Sequence, residues 1–460
     1  MRPFPWQEPL VDNIVTSLTK DRFFISGFPT GSGKTILALE AAKRLNLKLL
    51  VFAPKVSLTQ WRRTASAMGV EDLIIDIMNP EKIPIGKCPF YTEICVKGYS
   101  QKIWRLPPEC LITFDEPHRS ASGEDSATAE ALARLKAAQG VRLHAMSATL
   151  ADSPRQLRAL GWWSDLHSWH NASFREWCRK HGCVYEKVKA FDPKVNLVRE
   201  RWMFNFTKDK DEAMAHMADI RREFGSRFLS MRAEDIPGFP TETITTELID
   251  LNKRERDEID EAYAEMSERM KTKGASILAE NGRERERIEF VMAEAAAELA
   301  CYHVADGNSV VIFFNFTEPR LRFEEAYKKA AKKAEIVTEL ASVYGGQTDK
   351  ERQAGIDAFQ ANTIHCMSVM SAAGGAALSL QDVLGTRPRV SLILPGWDAK
   401  MIKQCFGRIR RCGGGHATQK FLFAAGTVQE RVAARMKLKI DNLDAFNFAE
   451  VLEQEGEIIV

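Results

Sequence analysis

The 460-residue chain holds nine cysteines but no C-x-x-C pair. An odd number of scattered thiols excludes a disulfide framework and suits a reducing compartment, where most would serve as small buried hydrophobes. Also missing is a run of roughly eighteen apolar residues, the length needed to cross a bilayer. Met1 to Val15 carries no basic stretch leading into an unbroken apolar one. A cytoplasmic protein with no membrane partner is therefore expected. Charge of one sign is absent too, because 64 basic side chains meet 62 acidic ones. Any affinity for nucleic acid has to come from local patches. No repeat of roughly 20–50 residues and no low-complexity tract occurs, which excludes solenoids and disordered chains.

What is present is a chain with 45% hydrophobic residues, sufficient for two or three domains of about 150 residues each. Strands are expected at Phe23 to Ser26, Leu49 to Ala53, Leu111 to Phe114 and Leu143 to Met146, with a helix over Ile36 to Leu45. The same alternation returns at Val310 to Phe314, Ile336 to Thr338, Cys366 to Met370, Val390 to Leu394 and Lys420 to Phe423. The fold class that follows is α/β, with two doubly wound parallel sheets. The expected boundaries are 1–160, a mostly helical 161–305, 306–445, and an acidic tail 446–460. In the middle, Ile259, Tyr263, Met266 and Met270 form one helical stripe, and Ile288, Val291, Ala295 and Leu299 another.

Phe28-Pro29-Thr30-Gly31-Ser32-Gly33-Lys34-Thr35 follows a predicted strand and opens a predicted helix. Such a loop turns backbone N–H groups toward phosphates, while Lys34 reaches the β and γ oxygens and Thr35 ligates magnesium. Phe28 stands where the motif has its first glycine, and Gly27 lies just before it. Leu111-Ile-Thr-Phe-Asp115-Glu116-Pro-His118 is an apolar strand ending in paired carboxylates. At a strand end beside the phosphate loop, Asp115 would hold magnesium and Glu116 would orient or deprotonate the attacking water. The predicted ligands are therefore ATP and Mg2+.

Gly-Lys-Thr, Asp-Glu-x-His118 and Ser147-Ala148-Thr149 follow one another in the order found in superfamily 2 helicases and translocases, which the chain resembles. The resemblance covers nearly the whole length. It implies an adenine-reading role for Gln7. Pro54-Lys55-Val-Ser-Leu-Thr-Gln60-Trp61 is similar to the Swi/Snf-like motif Ia, a backbone-contacting loop on DNA. Asn315, with Gly346, Gln347, Thr348 and Arg352, looks like the second-domain segments that grip a strand. Ser371 to Leu380, containing Gly374 and Gly375, resembles motif V, with Ala377 where that family has glycine. Gln404-Cys-Phe-Gly-Arg408-Ile-Arg-Arg411 is similar to motif VI, in which arginines stabilise the charge of the leaving phosphate. Arg408 and Arg411, three apart, are expected on one helical face. His118, Ser147, Ala148, Thr149, Gly374 and Gly375 would couple the nucleotide to nucleic acid.

The expected function is thus an ATP-dependent DNA translocase or helicase of compact phage or bacterial type, with duplex or branched DNA as partner. Three alternatives stand beside it: an RNA helicase, the motor subunit of a nuclease or restriction complex, and an ATP-gated DNA-binding module. A nuclease or another replication or repair protein is the protein partner to expect, since no nuclease motif occurs in the chain. Lys328, Lys329, Lys332 and Lys333 form a basic helix face. His167, His170, Cys178, His181 and Cys183 match none of the common zinc spacings, and the five tryptophans from Trp162 to Trp202 read as core.

Overall fold

The computed structural model describes residues 1–430 apart from 97–98, 118–120, 122–125, 139, 149, 193–196, 208, 274–281, 372–377 and 395–398; for some residues inside elements, Gln404 among them, it describes the backbone alone. The described residues divide into two compact units, one of Met1–Val184 and Asn205–Pro237, the other of Tyr185–Phe204 and 238–430.

The first unit runs α1(Glu8–Lys20), β1(Phe23–Gly27), α2(Lys34–Leu45), β2(Lys48–Phe52), α3(Leu58–Met68), β3(Ile74–Met78), β4(Tyr91–Val96), β5(Tyr99–Trp104), β6(Cys110–Asp115), α4(Ala127–Leu135) and β7(Arg142–Met146). It continues through α5(Arg158–Trp163), α6(Asn171–Lys180), α7(Lys210–Phe224) and β10(Phe228–Ser230); between α6 and α7 the chain forms β8(Cys183–Asp192) and β9(Leu197–Phe206), most of which belongs to the second unit. Six strands form one sheet in the order β10-β1-β7-β6-β2-β3, every neighbouring pair parallel. β1 is buried at all five positions, as expected of a central strand covered by helices on both faces. Val11, Ile14 and Leu18 of α1 share a core with Leu37, Ala38 and Ala41 of α2, the i, i+3, i+7 stripe of an amphipathic helix. Parallel strands end together, so the segments after β1, β6 and β7 meet at one edge.

The second unit runs β11(Glu242–Ile249), α8(Lys253–Lys273), α9(Gly282–Ala305), β12(Ser309–Phe314), α10(Thr317–Lys333), β13(Ala341–Val343), α11(Asp349–Gln360), β14(Cys366–Met370), β15(Arg389–Ile393), α12(Ala399–Ile409) and β16(Ala417–Ala424). Its sheet has the order β11-β16-β15-β12-β14-β13, again wholly parallel. Two doubly wound parallel sheets are thus observed, as the alternating pattern predicts.

Two local expectations change. Ile336 to Thr338 is no strand: the Ile336 N–H donates to the Ala331 carbonyl and closes the end of α10, so its apolar side chain staples that helix. The strand lies five residues on, where Ala341 and Val343 are buried. The stretch 161–305 is not uniformly helical either. It supplies β10 to the first sheet and β11 to the second, because both runs find an open edge to pair with. Among the described residues no helix is long and apolar enough to cross a membrane.

Candidate nucleotide-binding site

The phosphate loop sits between β1 and α2. Gly31 and Gly33 have φ of 86° and 82°, which a side chain tolerates poorly. A Cβ on Gly33 would also come within 2.6 Å of Gln7 Nε2. The Lys34 ammonium lies inside the curve of the loop, donating to the carbonyls of Phe28 at 2.9 Å and Pro29 at 3.1 Å. Phe28 itself is buried in the core, so the missing first glycine costs the loop nothing: the ring points away and the carbonyl serves Lys34.

Gln7 is fully buried. Its amide donates to the Ser32 carbonyl at 2.8 Å and accepts from the Phe4 N–H at 2.9 Å. The glutamine that the resemblance assigns to adenine therefore braces the loop from behind.

Two strands away, Asp115 ends β6 and Glu116 follows with a φ of 55°. A left-handed glutamate costs about 1–2 kcal/mol, and the surroundings hold it: its N–H donates to the Met146 carbonyl at 2.8 Å, and Glu116 Oε2 accepts from Ser147 Oγ at 2.7 Å. The Ser147 N–H in turn donates to the Ser26 carbonyl at 3.0 Å, joining the end of β7 to the strand that enters the phosphate loop. Beneath it, Ser26 and His144 share a buried hydrogen bond of 2.7 Å, and burial drives the imidazole pKa down to about 3. The ring is neutral at any working pH.

Trp61 corrects its expected place on DNA. It is 1% exposed, packed in the core, and its indole N–H donates to Asp115 Oδ2 at 3.1 Å. Lys55 and Gln60, by contrast, are exposed and Pro54 is half-buried. Lys34, Thr35, Gly31, Ser32 and Gly33 thus share one sheet edge with Asp115, Glu116, Ser147 and Ala148. Thr35 and Asp115 offer hard oxygen donors, which suit magnesium rather than zinc. His118 and Thr149 lie outside the described residues, as do Gly374 and Gly375.

In the second unit, α12 ends at Ile409. Arg411 lies beyond it, folded back onto the Gly407 carbonyl and Ser379 Oγ, both at 2.9 Å. Arg408 is 2% exposed within the helix, so the two do not share a helical face as their spacing suggests. Helical geometry simply stops between them. Arg410 is bound to Glu242 and the Pro240 carbonyl. The side chain of Gln404 lies outside the described residues.

Of the residues expected to grip a strand, Gln347 bonds the Tyr344 N–H and the Ser342 carbonyl, and Thr348 caps α11 in a capping box with Glu351. Gly346 is exposed and Arg352 half-buried. Asn315 is held at the end of β12 by Glu289, which accepts from its backbone N–H at 2.9 Å and from its side-chain amide. Burial raises the Glu289 pKa to about 7 against the lowering effect of those bonds and of Arg285. The motif reading passed over Glu289; its only signal is a carboxylate beside Met292, Ala293 and Ala296, all buried.

Lys328, Lys329, Lys332 and Lys333 are exposed. His167 packs against Phe174 and Trp177, and His181 pairs with Glu223 at 3.1 Å. Among the described residues no group of three or more His, Cys, Asp or Glu side chains could hold a metal ion.

Residues 1–152 match the family model described as Type III restriction enzyme, res subunit. That stretch includes the phosphate loop, Asp115, Glu116 and Ser147. Over 96% of its length the chain is similar to the mimivirus protein named "Putative ATP-dependent RNA helicase" (Acanthamoeba polyphaga mimivirus), with 24% identity and 83% of that protein covered. Among solved structures it is similar to S. cerevisiae Dbp5 bound to RNA and ADP BeF3, at 10% identity and a TM-score of 0.47, covering 94% of this chain and 89% of that one.

Proposed function

We propose that the chain is an ATP-dependent helicase acting on RNA. The observation that carries the ATPase is the single sheet edge on which Lys34, Asp115, Glu116 and Ser147 stand. The ATP-dependent helicase reading is also supported by the likeness, along nearly the whole chain, to the mimivirus protein, whose name supplies RNA.

In this reading the N–H groups of the Gly31–Gly33 turn and the Lys34 ammonium bind the β- and γ-phosphates. Thr35 and Asp115 would hold magnesium, which supplies charge neutralisation between those phosphates. Glu116 accepts the proton of the attacking water, its carboxylate aimed by Ser147. Arg408 and Arg411 of the second unit stabilise charge on the departing phosphate, a role resting on their motif. Changes in nucleotide state are relayed to bound nucleic acid through Ser147 and Ala148.

A second reading, a DNA translocase, keeps Pro54, Lys55 and Gln60 as support but loses Trp61, whose side chain is spent on Asp115. ATPase assays with single-stranded RNA, duplex RNA, single-stranded DNA and duplex DNA decide between them. RNA is expected to stimulate turnover at least severalfold more than DNA of equal length. Stimulation by duplex DNA alone would establish the second reading, and no ATP turnover with any of the four would overturn both.

A further inference from the structure

A buried indole needs an acceptor, and three tryptophans of the first unit find theirs in the backbone of α4: Trp104 in Ala131, Trp163 in Leu132 and Trp162 in Ala133. Trp61 instead donates to a carboxylate at the candidate site, Asp115 Oδ2, at 3.1 Å. It reaches that oxygen from α3, at whose start Lys55 and Gln60 are exposed. Gln60 and Trp61 are consecutive, yet one faces solvent and the other is 1% exposed in the core beside β6. A shift or rotation of α3 therefore moves one hydrogen-bond donor of Asp115 directly.

We propose that Trp61 is a positioning residue that sets the orientation of the Asp115 carboxylate and links it to the exposed start of α3, so that nucleic acid docking there is felt at the magnesium-holding group. The inference rests on the proposed function for its two ligands but not for the hydrogen bond itself. The indole N–H bond to one carboxylate oxygen restrains the carboxylate plane, and losing it removes one of the contacts that order Asp115 before a metal binds. Close packing around Trp61 passes displacement of the helix to the ring rather than absorbing it.

The test uses the full chain and the indole N–H resonances in two-dimensional 1H–15N NMR. Trp61→Phe keeps an aromatic ring in the core and identifies the Trp61 peak by its loss. Asp115→Ala is expected to shift that peak strongly; a peak left in place in the folded variant would overturn the bond. In wild-type protein without nucleotide, a saturating uridine oligonucleotide or DNA duplex, whichever binds, is expected to move the same peak. Binding that leaves it unmoved would overturn the link to α3.

In the ATPase, Trp61→Phe is expected to raise the Mg2+ concentration for half-maximal rate by about 3–10-fold, the order of one hydrogen bond to a charged group. ATP affinity in the absence of Mg2+ should stay as in wild type. An unchanged Mg2+ midpoint would sink the positioning role. Should the wild-type chain prove unable to hydrolyse ATP, the functional reading fails while the Asp115→Ala peak shift still decides the bond.

Discussion

Ser147 donates its hydroxyl to Glu116 across 2.7 Å, and the same residue's N–H is bonded to the Ser26 carbonyl at 3.0 Å. One serine thus ties the carboxylate expected to act on water to the strand that feeds the phosphate loop. Since Glu116 sits at a φ of 55°, the tie also holds a backbone conformation that an unsupported glutamate would leave.

Glu116→Gln keeps the shape of the side chain and a hydrogen bond to Ser147 but removes the proton acceptor. Nucleotide binding is expected to persist while turnover falls by about 100-fold or more. Single-turnover hydrolysis alongside fluorescent-nucleotide titration separates the two, and normal turnover would remove Glu116 from the catalytic role.

Lys34→Ala deletes the ammonium that the Phe28 and Pro29 carbonyls hold in the loop. Both ATP affinity and hydrolysis should collapse, with the fold retained because the hydrophobic core of the first unit is left intact. Calorimetric titration with ATP and a thermal melt without it check the two halves.

Gln7→Ala leaves the Ser32 carbonyl and the Phe4 N–H without their buried partner. An unpaired buried group costs about 1–3 kcal/mol, so the melting temperature should drop and the phosphate loop loosen. A bracing role predicts weakened binding of GTP as well as ATP. Loss confined to ATP would show instead that Gln7 reads the base.

Glu289 binds its proton more tightly in the folded chain than the ordinary carboxylate value of 4.5, with burial as the main cause and a pKa of about 7. A raised folded pKa means stability that is fully present below about pH 4.5 and lost as pH rises through about 7. The groups facing it are Asn315, the Phe316 N–H and Arg285, all of which oppose the rise without cancelling it. Between pH 5 and 8 the second unit of wild-type protein is expected to lose stability on the order of 3 kcal/mol relative to Glu289→Gln. Urea melts of both proteins at the two pH values measure this, and parallel loss in both would exclude Glu289 as the source.

The phosphate loop and the paired carboxylates were readable in the amino-acid order because each is a contiguous run whose spacing is dictated by backbone geometry. Gly31 and Gly33 need positive φ, Lys34 must follow the turn, and Asp115 must end a buried strand. Alternating apolar runs announced both parallel sheets for the same reason, with burial on two faces demanding it. Short runs were less legible: Ile336 to Thr338 is as apolar as many strands but closes a helix, and no local pattern distinguishes the two.

What only the tertiary structure decided is which groups meet across the sheet. Trp61 lies 54 residues from Asp115, Gln7 lies 25 from Ser32, Ser147 lies 31 from Glu116 and Glu289 lies 26 from Asn315. Motif order alone reads Trp61 as a surface contact, whereas burial makes it a support for Asp115, and it gives no sign that Gln7 is also bonded to the phosphate loop at Ser32. Short-range rules set which residues turn, cap or extend the chain. The partner of a buried N–H is chosen by packing among distant segments, and that choice exists only once the sheet has formed.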